Sequence, residues 1–147
     1  MNIEIRILAS GEEAVLGHVA AGVFDHDVDP DLTAEFLRDP RHHLAVALEG
    51  TLVVGFASAV DYVHPDKPRE LWINEVGVAP SHQRQGLGQR LLRAVLDFGQ
   101  KIGCRDAWVL TSPANGPAVR LYESVGGSDM ADAPMMFTFR LHPGPSS

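Results

Sequence analysis

One segment carries the strongest structural signal in this chain, and it reads Trp72-Ile73-Asn74-Glu75-Val76-Gly77-Val78-Ala79-Pro80-Ser81-His82-Gln83-Arg84-Gln85-Gly86-Leu87-Gly88. An apolar run ends at Val78, a polar loop follows, and a Gly-x-Gly begins an amphipathic pattern over residues 85–102. This order predicts a strand, a turn and a long helix. The first N–H groups of a helix have no intrahelical acceptor, and glycine lets a ligand approach them closely. Because Arg84 adds positive charge, the segment predicts a cradle for a diphosphate.

The spacing of the glycines excludes two common phosphate-binding motifs. No Gly-Lys-Ser/Thr follows, so the segment is not a Walker loop. Gln83-x-x-Gly86-x-Gly88 also differs from the Gly-x-Gly-x-x-Gly of dinucleotide-binding folds. A Gly-x-Gly taken by itself is equally consistent with a helix start that simply needs glycine.

Apolar periodicity and turn residues divide the rest of the chain into further elements. Ser10 and Glu13 have the spacing of a capping box, and Asp29 followed by Pro30 suits the cap and first position of another helix. The predicted order is a strand over 2–8, helices over 10–20 and 29–37, a hairpin of strands over 43–48 and 52–60, a loop over 65–68, a strand over 71–78, the helix over 85–102, a buried strand over 107–110, a helix over 115–125 and a last strand over 135–141. These elements predict one α/β (α+β) domain over residues 1–141, with helices flanking a mixed central sheet, and a disordered tail over residues 142–147.

The composition limits the class of protein. The chain has 147 residues, of which 45% are hydrophobic, and this fits a single globular domain. Its 12 Lys+Arg against 19 Asp+Glu give a net charge of −7, which argues against a nucleic-acid partner and suits a cationic one. Because no apolar run has the length of a membrane span and the start does not resemble a signal peptide, we expect a cytoplasmic protein without a membrane partner.

Metal and disulfide chemistry are not expected. Cys104 is the single cysteine, so the chain lacks an internal disulfide and a cysteine-based zinc cage. The seven histidines show no His-x-x-x-His or similar pairing. The alternating aspartates over residues 25–31 resemble a calcium loop, but Pro30 and Phe36 stand where that loop needs Gly and Glu. We therefore predict no metal.

Two motifs give the chain a resemblance to a known family. Gln83-x-x-Gly86-x-Gly88 matches the Gln/Arg-x-x-Gly-x-Gly/Ala motif of the GCN5-related N-acetyltransferases (GNAT), and Val76-Gly77-Val78-Ala79-Pro80 matches the strand that precedes it. Asn115, Ala118, Leu121 and Tyr122 match a second motif, Asn-x-x-Ala-x-x-Leu-Tyr. The order of the predicted elements also fits, so the chain resembles this family over nearly its whole length.

Within the family, the chain looks most like the type I aminoglycoside 3-N-acetyltransferases. The shared features are Phe24-Asp25 before an acidic loop, the strand over residues 75–78 and the segment over residues 118–122. This resemblance implies transfer of an acetyl group to the 3-amino group of an aminoglycoside antibiotic, an activity that confers antibiotic resistance.

The family resemblance implies acetyl-CoA as the cosubstrate. The pantetheine arm would pair as an added strand with the backbone of Val76 and Val78. Asn115 would contact the cosubstrate, and it is equally consistent with a helix cap. The residues that correspond to the diphosphate-binding loop are Gln83, Arg84, Gln85, Gly86, Leu87 and Gly88.

Two residues are candidates for acid–base catalysis. Glu75 interrupts an otherwise apolar strand, and buried carboxylates are rare unless they are paired or functional. We expect it to take a proton from the substrate ammonium, the alternative being a carboxylate that simply reaches water. The resemblance implies that Tyr122 contacts the cosubstrate and protonates the leaving thiolate, the alternative being a core aromatic.

The acidic loop supplies the candidate substrate-binding residues. Asp25 and Asp27, together with Glu75, are expected to face a polycationic small molecule, and a solvated loop is an equally good interpretation. The runner-up acceptors are a polyamine, a small amine or a protein N-terminus. A non-catalytic acyl-CoA-binding domain on the same scaffold is the alternative to an enzyme, and the sequence leaves open whether the chain forms a homodimer.

Overall fold

The computed structural model describes residues 2–130 and 134–142. The strands are β1 (Ile3–Ile7), β2 (His42–Glu49), β3 (Leu52–His64), β4 (Lys67–Val78) and β5 (Asp106–Val109). The helices are α1 (Pro30–Arg38), α2 (Leu87–Lys101) and α3 (Gly116–Ser124), with short 3-10 helices at Glu13–Gly17 and Pro80–His82.

The five strands form one mixed sheet in the order β1-β2-β3-β4-β5. Strands β1 to β4 pair with one another in antiparallel fashion, and β5 runs parallel to β4. Helix α2 packs across β1 to β4, and Leu91, Leu92 and Val95 on its apolar side are fully buried. The predicted mixed sheet flanked by helices is confirmed.

A bulge in β4 decides which side chains share a face of the sheet. Ser58 of β3 lies opposite Glu75, whereas the next residue, Ala59, lies opposite Ile73, so Asn74 is the extra residue. Side chains alternate along a regular strand, and the extra residue reverses the alternation. Glu75 therefore lies on the opposite face from Ile73, which is buried in the core with α2.

Helix α1 begins at Pro30, as the sequence predicts, whereas the predicted helix over 10–20 does not form. Asp29 accepts hydrogen bonds from the N–H groups of Asp31 and Leu32, as a helix cap should. Before it, only the 3-10 helix Glu13–Gly17 is present, and its cap position is Glu12 rather than Ser10. The chain leaves this turn because the backbone of residues 18–20 bonds to Val53 along β3.

Three further expectations need correction. The predicted loop over 65–68 shrinks to two residues because β4 already begins at Lys67. Strand β5 lies at the edge of the sheet and is largely exposed rather than buried. Residues 135–141 form no strand, and Phe139 and Leu141 are 81% and 93% exposed. An alternating pattern indicates that one side would be buried, but it does not supply the neighbouring strand. In the predicted tail, residues 143–147 lie outside the described residues.

Candidate active site

A cleft of about 520 Å³ lies between the end of β4, the loop that follows it, and the facing helices α2 and α3. It joins residues that are far apart in the sequence but belong to the two motifs. The lining residues are Val76, Val78, His82, Gln83, Arg84, Gly86, Leu87, Gly88, Asn115, Pro117, Ala118, Arg120, Leu121 and Tyr122.

The N-terminus of α2 has the geometry that an anion site requires. Arg84 and Gly86 both have left-handed backbones, with φ of 63° and 76°. Among the described residues no side chain caps the helix, and its first backbone bond runs from Arg90 N–H to the Gly86 carbonyl. The amides of residues 87–89 therefore remain as donors without intrahelical acceptors, and the positive end of the helix dipole lies in the cleft.

The two glycines of the motif are required for different structural reasons. In the part of the chain that the structure describes, no atom lies within 4 Å of the position where Gly86 would carry a Cβ, so this residue is needed for its positive φ. At Gly88 a Cβ would lie 3.3 Å from Leu121 Cδ2 of α3. Gly88 thus allows α2 and α3 to approach each other, and this contact forms one wall of the cleft.

Side chains hold the loop before α2 in place. The Gln83 amide donates to the Val78 carbonyl at 3.2 Å. The two ring nitrogens of His82 contact the Ser81 hydroxyl at 2.7 Å and the Glu49 carboxylate at 3.0 Å. The loop is therefore anchored to the end of β4 and to the β2–β3 hairpin.

The sheet opens beside the cleft. Strand β4 continues to Val78, but β5 pairs with it only from Glu70 to Ile73. The backbone of residues 74–78 consequently has no paired strand on that side among the described residues. This edge can accept an extended ligand by strand addition.

Asn115 and Tyr122 lie on α3, on the other side of the cleft. The Asn115 side chain accepts from Ala118 N–H at 3.2 Å, so it caps the helix and lines the cleft at once. Tyr122 is half-buried, and burial raises the pKa of its phenol above the usual value. The phenol therefore stays protonated at neutral pH and has a proton to donate.

Glu75 meets Asp25 on the opposite face of β4. Burial, the negative charge of Asp25 and a hydrogen bond between the two carboxyl groups all raise the pKa of Glu75. A raised pKa makes a carboxylate a better proton acceptor. Of the two predicted aspartates, Asp25 acts on the pKa of Glu75 and Asp27 does not. Asp25, Asp27 and Glu75 are all exposed, so Glu75 reaches water as well as Asp25.

The loop that carries Asp25 is placed by contacts with the sheet. Phe24 stacks on Phe56 of β3, with ring centroids 4.2 Å apart. Gly77 lies opposite Phe56, and a Cβ there would lie 2.6 Å from the carbonyl oxygen of Val23. The missing side chain of Gly77 therefore lets the loop come close enough to bring Asp25 to Glu75.

The structure assembles most of the predicted cosubstrate residues but separates the two catalytic candidates. Gln85 is exposed and does not line the cleft, and neither does Glu75. His82, Pro117 and Arg120 line it although sequence reasoning did not single them out. The sequence around Arg120 does not indicate that this residue lines a cleft, because the direction of its side chain depends on how α3 packs on α2.

Within residues 2–130 and 134–142, no three His, Cys, Asp or Glu side chains come together as a metal site. In the same ranges, no helix has the length and apolar character needed to cross a membrane.

The chain matches the model of the acetyltransferase (GNAT) family over residues 8–127. It is 35% identical over 88 residues to the streptothricin acetyltransferase of Streptomyces lavendulae, a match that covers 60% of this chain and 44% of that protein. It is 37% identical over 101 residues to the N-alpha-acetyltransferase RimI of Mycobacterium tuberculosis (strain ATCC 25618 / H37Rv), covering 67% of this chain and 61% of that protein. The chain spans about half the length of these curated relatives.

The fold is also similar to a solved structure, that of AAC(6')-Iy in complex with the bisubstrate analog CoA-S-monomethyl-acetylneamine. The TM-score is 0.76 at 21% sequence identity, and the match covers 95% of this chain and 99% of the other. The two chains therefore share the architecture of the sheet and its helices.

Proposed function

Because the chain belongs to the GNAT family of acetyltransferases, we propose that it transfers the acetyl group of acetyl-CoA directly to a primary amine. The single observation that carries the proposal is the cleft, in which the uncapped N-terminus of α2, the open edge of β4 and the Tyr122 phenol face one another. A non-catalytic acyl-CoA-binding domain needs the first two features but not a protonated phenol or a carboxylate with a raised pKa.

The residues of the cleft fit acetyl-CoA in charge and in shape. The amides of residues 87–89, with Arg84 and Arg120, provide donors and positive charge for its phosphates. The backbone of Val76 and Val78 provides a strand edge for its pantetheine arm. The bound cosubstrate supplies a thioester as the acetyl donor.

The two catalytic candidates act from opposite sides of the open sheet. Glu75 accepts the proton of the substrate ammonium, which must be neutral to attack a carbonyl carbon. Tyr122 donates its phenolic proton to the sulfur that leaves. Strand β5 pairs with β4 only as far as Ile73, and we propose that the acceptor amine and the thioester meet in the opening between these strands, with Glu75 on one face of the sheet and Tyr122 on the other.

We propose a polycationic antibiotic of the aminoglycoside or streptothricin kind as the acceptor. The contact of Asp25 with Glu75 places two carboxyl groups at the acceptor side, and the net charge of −7 favours a cationic ligand. One relative acetylates streptothricin, which supports the class. Sequence resemblance indicates the 3-amino group of an aminoglycoside, whereas the solved relative is named for the 6' position, so the proposal extends to the class of amine and not to its position.

A protein N-terminus is the second candidate acceptor. The observation in its favour is the 37% identity to an N-alpha-acetyltransferase over 67% of this chain. The two candidates differ in the charge that they bring to the site, because a peptide N-terminus carries a single ammonium group whereas an aminoglycoside carries several.

The experiment is an assay of CoA thiol release with purified protein, acetyl-CoA and a panel of kanamycin, streptothricin, spermidine and an alanine-initiated peptide. We expect turnover with kanamycin or streptothricin, with mass spectrometry of the product giving the acetylated position. Turnover of the peptide alone would replace the antibiotic proposal and keep the acetyltransferase. CoA binding without turnover of any amine would support a binding domain instead.

A further inference from the structure

Four side chains form a connected patch on β3, β4 and β5. The indole rings of Trp72 and Trp108 stack, with centroids 5.5 Å apart and an interplanar angle of 14°. Trp108 Nε1–H donates to the Tyr62 hydroxyl at 2.6 Å, and that hydroxyl donates to Glu70 Oε1 at 3.1 Å. These residues, Tyr62, Glu70, Trp72 and Trp108, are called the aromatic platform below.

The aromatic platform lies on the same face of the sheet as Glu75. Ser58, Val60 and Tyr62 alternate along β3, so their side chains point to one face. Their partners on β4 are Glu75, Trp72 and Glu70, in that order. Paired residues share a face, and the bulge at Asn74 is what brings Trp72 to the side of Glu75. The platform thus continues the acceptor side away from the reacting centre.

The spacing suits a ligand of several rings. A strand rises about 3.3 Å per residue, so Val60, opposite Trp72, is about 7 Å from Ser58, and Tyr62 is about 13 Å from it. A molecule whose reacting amine lies at Glu75 would reach the platform with its second or third ring.

The chemistry of the platform suits a ring that carries ammonium groups. Trp108 is 38% exposed, so its ring is accessible to a ligand. The faces of aromatic rings attract cations, and indole does so most strongly. Glu70 and its partner in the neighbouring strand, Asp106, add two carboxylates on the same face. Aromatic faces beside carboxylates favour a cationic ring over a neutral one.

We infer that the aromatic platform is a distal subsite that binds an amino-sugar ring of a polycationic acceptor while another amine of the same molecule lies at Glu75. The inference rests on the proposed function for the place of the reacting amine. It adds a specificity site outside the two motifs, and it predicts that acceptors with several rings bind better than single amino sugars.

Intrinsic fluorescence tests the inference directly, because the chain has two tryptophans and both belong to the platform. The protein is titrated without acetyl-CoA, using kanamycin as the multi-ring polycation, maltotriose as a neutral oligosaccharide and glucosamine as a single amino sugar. We expect a saturable change of emission with kanamycin at a concentration where maltotriose and glucosamine give none. An equal response to maltotriose would overturn the requirement for charge, and no response to kanamycin would overturn the subsite.

Variants measured by calorimetry complete the test. Trp108→Ala and Glu70→Gln should each weaken kanamycin binding about two- to fivefold, and Trp108→Phe less than Trp108→Ala because it keeps an aromatic face. Val63→Ala is the matched control, since it removes a side chain that is 63% exposed from β3 next to Tyr62. Its kanamycin affinity should equal that of the parent protein, and equal losses in all the variants would overturn the inference.

The two proposals fail in different ways. If kanamycin binds at the platform but is not acetylated, the proposed substrate is wrong and the subsite stands. If kanamycin is acetylated with the same KM in Trp108→Ala, Glu70→Gln and the parent protein, the proposed function stands and the distal subsite is wrong.

Discussion

Replacing Arg84 by glycine and by alanine separates its charge from its backbone conformation. Its φ of 63° lies in the left-handed region, which costs an L side chain about 1–2 kcal/mol and glycine little. Glycine loses about 0.5–1 kcal/mol more backbone entropy than alanine on folding. The difference predicts that Arg84→Gly is more stable than Arg84→Ala by about 0.5–1 kcal/mol.

Thermal unfolding measures this difference. For a domain of this size, 1 kcal/mol corresponds to about 2–4 °C in Tm, so the two variants should differ by about 1–4 °C. Arg93 provides the matched control, because it is an exposed arginine in the interior of α2. There the order should reverse, with Arg93→Gly less stable than Arg93→Ala by about 1 kcal/mol.

The same variants test the anion site. Both changes at Arg84 remove a guanidinium from the cleft, and hydrogen bonds to charged groups contribute about 1.5–3 kcal/mol. Calorimetry with CoA should therefore show at least about a tenfold loss of affinity in both, and little change for the Arg93 variants. The strained backbone at Arg84 would be refuted if Arg84→Ala were as stable as Arg84→Gly while the two Arg93 variants showed the expected order. Unchanged CoA affinity would remove Arg84 from the site.

Four further predictions concern the catalytic and cleft residues. Glu75→Gln should lower kcat by about 10²–10⁴-fold and keep CoA affinity, and full activity would exclude a general base at this position. Asp25→Asn should move the acid limb of the kcat/KM profile to lower pH, because Asp25 raises the pKa of Glu75 and Glu75 acts when it is deprotonated; an unmoved limb would contradict their coupling. Tyr122→Phe should slow turnover less than Glu75→Gln, because a thiolate is a weakly basic leaving group, and parent-like turnover at every pH would leave Tyr122 a packing residue. Gly88→Val should weaken CoA binding in a calorimetric titration, because its side chain would push Leu121 and α3 away from α2, and an unchanged affinity with the fold intact would count against this wall of the cleft.

Local chemistry made much of the fold and of the cleft's backbone geometry predictable. The amphipathic period of α2 and the cap at Asp29 depend on residues within a few positions of one another, and both were confirmed. The cradle at the start of α2 is also local, since it is made by consecutive backbone amides after Gly86. A sequence therefore predicts such a site without knowledge of the packing.

Tertiary structure decided what depends on a neighbour that is distant in the chain. The capping-box spacing at Ser10 did not give a helix, because β3 binds the backbone that would have continued it. Sequence alternation places Glu75 on the same side as Ile73, and the bulge at Asn74, visible only in the pairing with β3, turns it toward Asp25. Arg120 lines the cleft through the packing of α3 on α2, where Gly88 lies against Leu121. Periodicity and turn chemistry act over a few residues, whereas strand register and helix packing are set by contacts between segments, so the sequence predicted the parts of the site and the structure decided which of them meet.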